Sequence, residues 1–113
     1  MSTASPITTH VLDTARGRPA VGIAIVLERR DAGAFVVVGQ GRTDEDGRLR
    51  TLLDPGTLVA GTYRITFELA AYYGSAEHFF PEASLVFLVT DPAAHYHVPL
   101  LLSPFGYSTY RGS

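Results

Sequence analysis

The chain of 113 residues contains no cysteine and no tryptophan, and it has a single methionine. Without cysteine, no disulfide secures the fold, no thiolate binds a metal and no thiol attacks a substrate. Charged residues are 18% of the chain, and the formal charge is −2 at pH 7. That balance gives no electrostatic footing for nucleic acid or an anionic membrane. No stretch of the sequence approaches the roughly 18 apolar residues of a membrane-spanning helix. The opening "MSTASPITTHVLD" lacks a basic leader and an apolar run, and the closing "RGS" is not a peroxisomal address. A cytoplasmic location is the expectation. There is no Gly-rich phosphate loop after a strand and no Gly-X-Ser-X-Gly elbow. A serine-triad hydrolase is therefore unsupported.

What is present is apolar and β-rich. Hydrophobic residues make up 46% of the chain, enough for a core in one domain covering residues 1–113. Eight short runs rich in β-branched and aromatic residues are separated by Gly, Pro and Asp. They are 6–12, 21–29, 34–41, 43–53 (a turn at Asp46-Gly47 and a short strand), 61–69, 84–90, 95–102 and 106–111. The joint at Arg30-Asp31-Ala32-Gly33 reads as a hairpin. This spacing predicts an all-β, two-sheet sandwich. One stretch breaks the pattern: Leu69, Tyr72, Tyr73 and Ala76 recur at helical spacing before Pro81. They predict one short helix near 70–78, carrying His78.

Strand parity sorts the polar side chains, because successive residues point to opposite faces. Thr8, His10 and Leu12 share one face of the first run; His95, His97, Pro99 and Leu101 share one face of the seventh. Tyr96, Val98, Leu100 and Leu102 make the better core face. In the last run, Gly106, Ser108, Tyr110 and Gly112 oppose Tyr107, Thr109 and Arg111. His10, His97 and Tyr110 can thus all face away from the core. Pro99 cannot donate to a sheet ladder, so its strand is expected to be unpaired or bulged there.

Imidazole can act as base and then as acid near neutral pH. The plainer reading of His10, His78, His95 and His97 is surface or hydrogen-bonded rings, and His78 fits it best. A third reading makes His10, His95 and His97 ligands of a zinc-type site, since His-X-His on one strand face is a known ligand spacing. Asp44, Asp46 and Gly47 echo part of a calcium loop, but the remaining ligands are missing. A tight turn is the better reading. Arg48, just after that turn, has a planar fork that could orient an anionic substrate, or it could simply face solvent.

Three segments together resemble the 5-hydroxyisourate hydrolases, the transthyretin-like enzymes of purine catabolism. They are "THVLDTARGRPA" (9–20), "TDEDGRL" (43–49) and "HYHVPLLLSPFGYSTYRGS" (95–113). The resemblance covers essentially the whole chain. It implies a two-sheet, eight-strand transthyretin-like sandwich with one short helix, assembled as a homotetramer with active sites where two dimers meet. It implies hydrolysis of the cyclic amide of 5-hydroxyisourate, a small-molecule substrate, without metal or other cofactor. It places catalytic residues at His10, Arg48 and His97, and substrate contacts at His10, Arg48, Tyr110, Arg111, Gly112 and Ser113. On this reading the terminal Tyr-Arg-Gly-Ser is packed into a subunit interface to complete the site.

Overall fold

Strand parity organises the core. The computed structural model describes residues 4–113 and contains two sheets packed face to face. One sheet holds β1 (Ile7–Asp13), β2 (Arg18–Pro19), β5 (Arg48–Leu49), β8 (Tyr96–Ser103) and β9 (Gly106–Thr109). Its order is β2-β1-β8-β9, with β5 also pairing with β1. The other runs β4-β3-β6-β7, from β3 (Ala24–Asp31), β4 (Ala34–Arg42), β6 (Gly61–Glu68) and β7 (Glu82–Val89). All eight candidate runs form strands; β2 is an addition that two residues were too short to announce.

The inner faces alternate as the apolar pattern dictates. Ile7 and Val11 of β1 and Leu100 and Leu102 of β8 meet Ile25 and Leu27 of β3 and Ile65 and Phe67 of β6, all at 1% exposure or less. Each such side chain contributes about 1.5–3 kcal/mol through removal of apolar surface from water. The outward partners of the same strands, Thr8, His10 and His97 among them, are only partly buried.

The predicted helix is shorter than its periodicity suggests. α1 spans Ala70–Tyr73 only. Gly74 takes φ 59° and its N–H bonds back to the Ala70 carbonyl, which ends the helix one turn in. His78 therefore lies outside it. Its ring stacks on Tyr73 at 5.0 Å between centroids, and its Nδ1 lies 2.8 Å from the Ala76 carbonyl.

The β3–β4 hairpin turns through Ala32 and Gly33, with Asp31 paired to Ala34. Both turn residues have positive φ, 52° for Ala32 and 85° for Gly33. A Cβ at that conformation costs about 1 kcal/mol, and Asn tolerates it better than Ala. Ala32→Asn is expected to stabilise the fold by about 0.5–1 kcal/mol. Denaturant unfolding would register it as a higher midpoint at unchanged slope.

Candidate active site

The site is built on the outward face of the first sheet, from the strands that flank β1. A tight turn delivers Arg48. The Asp44 carboxylate accepts the backbone N–H groups of Asp46 and Arg48 at 2.9 and 3.0 Å, and the Asp44 N–H donates to the Arg48 carbonyl at 2.8 Å. The Arg48 N–H above all holds the Asp44 carboxyl below the usual carboxylate range. Gly47, at φ 74°, docks the turn on β1: its carbonyl accepts from the Val11 N–H at 2.8 Å. A Cβ there would sit 2.5 Å from the Val11 oxygen, so only glycine fits. The incomplete calcium pattern is thus a docked turn, and its result is Arg48 paired directly across from His10.

β8 lies parallel to β1, with Thr8 beside His97 and His10 beside Pro99. Two rows cross the sheet: Arg48, His10 and Pro99 in one, Thr8 and His97 in the other. The Thr8 hydroxyl lies 2.9 Å from His95 Nε2 and 2.9 Å from His97 Nδ1. One hydroxyl therefore spans both rings of the His-Tyr-His segment. His97 Nε2 has no hydrogen-bond partner among the described residues. An open pocket of about 300 Å³ forms here, and Thr8, Arg48, Arg50, His95, His97 and Ser113 are among the residues that line it. That volume matches a small ring compound.

The end of the chain closes the His97 side. The β8–β9 ladder runs from Ser103–Gly106 to Leu100–Thr109, stops at Pro99, and resumes as a single bridge between His97 and Gly112. The expected irregularity is therefore real, because Pro99 has no N–H to give. The Thr109 hydroxyl donates to the Pro99 carbonyl instead, at 2.7 Å, and the Gly112 N–H donates to the His97 carbonyl at 2.8 Å. The His97 ring lies so near Gly112 that a Cβ would be 2.5 Å from its Cδ2. Gly112→Ala is expected to keep the fold and push the ring aside. Since a misplacement of about 1 Å can cost about 10²-fold in rate, turnover should fall by about 10–100-fold while the melting temperature holds.

Of the expected substrate contacts, Arg48 and Ser113 line the pocket; His10 and Gly112 are not among its lining residues but adjoin Arg48 and His97, and Arg111 and Tyr110 sit elsewhere in the protomer. Arg111 has the parity of Tyr96, not of His97. Its guanidinium lies 4.3 Å over the Tyr96 ring and donates to the His95 carbonyl at 3.2 Å. It clamps the terminal segment to β8 from behind. Tyr110 is exposed and lines a separate groove between β7 and β9. Conversely, Thr8 and Arg50 line the pocket without having been singled out. The parity of Thr8 with His10 was the signal available for Thr8, and that of Arg50 with Arg48 was the signal for Arg50.

Burial, first of all, holds the His97 pKa below the ordinary histidine value, and the nearby Arg48, His95 and His10 charges add to the effect. The shift favours the neutral ring, whose Nε2 stays open. Among the described residues, no three His, Asp or Glu side chains gather as metal ligands would. The Thr8 hydroxyl instead occupies the space between the two β8 rings.

The HIUase/Transthyretin family profile matches residues 7–112. The chain belongs to this family. Relatives named 5-hydroxyisourate hydrolase include one from Salmonella typhimurium, 41% identical and covering 95% of this chain and 80% of its own. Another, from Rhizobium meliloti and named 5-hydroxyisourate hydrolase 2, is 44% identical over the full length of both. Among solved structures, Klebsiella pneumoniae 5-hydroxyisourate hydrolase superposes with a TM-score of 0.83 at 32% identity, covering 99% of this chain and 100% of that one. Sea bream transthyretin in complex with thyroxine superposes with a TM-score of 0.88, also at 32% identity, over 95% and 94% of the two chains. Within the family, the fold alone does not separate a hydrolase from a carrier; the residues in the pocket must.

Proposed function

We propose that this protein hydrolyses 5-hydroxyisourate to 2-oxo-4-hydroxy-4-carboxy-5-ureidoimidazoline, a step of urate degradation. The observation that carries this reading is the half-buried His97, with an open Nε2 and a pKa that burial holds down, in a pocket shared with Arg48. Full-length relatives that bear the hydrolase name support it. A carrier of an anion would use the fixed cation, but it has no need of a base beside it.

Opening a cyclic amide needs an activated water, a stabilised oxyanion and a proton for the leaving nitrogen. His97 Nε2 takes the proton from water as general base. Arg48 holds the planar anion by a two-pronged hydrogen bond and stabilises the charge that develops on the carbonyl oxygen. His10, paired across from Arg48, orients the substrate and the water. Ser113 lines the pocket, and Gly112 packs against the His97 ring. Arg111 acts at one remove, by holding that terminal segment in place.

The assembly proposed is a homotetramer, with the pocket facing another protomer at the dimer–dimer contact. Phe105 and Tyr110 are 63% and 58% exposed near the chain end, and this exposed aromatic surface, which another copy would cover, supports it. Tyr110 would then contribute at the interface. Light scattering should return four times the chain mass; a monomer would end this part of the reading.

The test of function is an ultraviolet assay in which urate oxidase generates 5-hydroxyisourate in place. Decay is expected to be faster with the protein than without it. Equal decay would remove the hydrolase and leave a small-ligand carrier.

A further inference from the structure

The hydrogen bonds at Thr8 carry more than ring orientation. A hydroxyl has one proton to donate, so it cannot donate to His95 Nε2 and to His97 Nδ1 at the same time. Both nitrogens lie 2.9 Å from the Thr8 oxygen. Both rings could donate to its two lone pairs, but a relay needs a directed chain, and there are two. Either His97 Nδ1–H donates to Thr8 and Thr8 donates to His95 Nε2, or His95 Nε2–H donates to Thr8 and Thr8 donates to His97 Nδ1. The first leaves His97 Nε2 bare, as a base. The second puts the neutral ring's proton on Nε2, as an acid. His95 is exposed, whereas His97 is partly buried.

We propose that Thr8 and His95 form a proton relay with His97 that carries the proton taken from water to the surface and brings one back. This relay rests on the hydrolase reading above and deepens it.

The steps balance. His97 Nε2 accepts a proton from the attacking water. The Nδ1 proton of His97 passes to the Thr8 oxygen as the Thr8 hydroxyl proton passes to His95 Nε2. His95 then carries both ring protons and releases one from Nδ1 to solvent. His97 is left neutral with a proton on Nε2, poised as the acid. When Nε2 gives that proton to the leaving nitrogen, the chain runs back: His97 Nδ1 takes the Thr8 proton, Thr8 takes the His95 Nε2 proton, and His95 recovers one from solvent at Nδ1. Positive charge thus rests on the exposed ring rather than on the one whose burial disfavours it. Thr8 is a positioning residue, since it acts through His97. The titratable and charged groups facing the pair are His10 of β1 and Arg48 and Arg50 of the β5 segment.

The experiment has a substrate-free arm and a kinetic arm. In the free wild-type protein, 15N NMR of the histidine rings is followed across pH. As His95 gains its proton, the neutral His97 ring is expected to move its proton from Nδ1 to Nε2. Thr8→Val should abolish that switch. A His97 tautomer that ignores the His95 titration would overturn the relay. In the kinetic arm, Thr8→Val is expected to lower kcat by about 10–100-fold with KM little changed, a smaller loss than deletion of the base itself. Thr8→Ser, which keeps the hydroxyl, should restore most of the rate. His95→Gln should be slow in dilute buffer and recover as imidazole is added. Full activity in Thr8→Val, a Thr8→Ser as slow as the valine variant, or a His95→Gln indifferent to imidazole would each overturn the relay. If Thr8→Val does not fold, the wild-type NMR titration and His95→Gln still decide. Failure of the hydrolase reading looks different: the wild type itself would not speed 5-hydroxyisourate decay.

Discussion

His97→Asn is expected to lower kcat for 5-hydroxyisourate hydrolysis by about 10²–10⁴-fold, the usual contribution of a general base. In free energy that is about 3–5 kcal/mol of transition-state stabilisation. Asparagine fills a similar volume and can still hydrogen bond to Thr8, but its amide cannot accept a proton at neutral pH. His97 is only partly buried and contributes its backbone, not its ring, to the bridge with Gly112. The melting temperature should therefore move little. The measurement is steady-state decay of substrate made in place, corrected for spontaneous decay. An unchanged rate would remove His97 from the chemistry.

Arg48→Lys should cost about 10²–10³-fold in kcat/KM, the scale of losing one preorganised donor to a developing oxyanion. Lysine keeps the charge and loses the planar fork. Arg48→Gln separates the electrostatic part. His97 sits below the ordinary histidine value through burial first and the Arg48 charge second. Without that charge the imidazolium is less disfavoured, so the His97 pKa rises. A base must be neutral to act, so the acid limb of kcat/KM should shift to higher pH in Arg48→Gln and stay near its place in Arg48→Lys. The same depressed pKa has a folding consequence. The native state takes up this proton less readily than the unfolded chain, so stability present above pH 6.5 is lost as pH falls through the folded pKa. A pH–rate profile of the three proteins checks the first effect. Parallel acid limbs would dismiss Arg48 as a source of the His97 shift.

Much of the fold was legible because period-two alternation is a local property. Ile7, Thr9 and Val11 alternate with Thr8, His10 and Leu12, and they do so in the structure as in the sequence. The eight runs became strands, and Pro99 interrupted its ladder for a reason present in its covalent structure. The helix was less legible. Ala76 continues the helical spacing, but Gly74 two residues earlier offers a conformation that ends it. Periodicity counts side chains and does not weigh a backbone exit.

The site divides along the same line. The sequence by itself determined which residues could do the chemistry: imidazoles at His10 and His97, and a guanidinium at Arg48 after a tight turn. It also determined that His10 and His97 leave the core on outward faces. Only the tertiary structure decided what stands beside what. The parallel pairing of β1 with β8 joins segments nearly ninety positions apart, and it sets Thr8 between His95 and His97. The pairing of β9 with β8 turns Arg111 to the Tyr96 side and lays Gly112 against the His97 ring. Parity along a strand follows from local sterics. Register between distant strands follows from the sum of core contacts, so no single segment carries it.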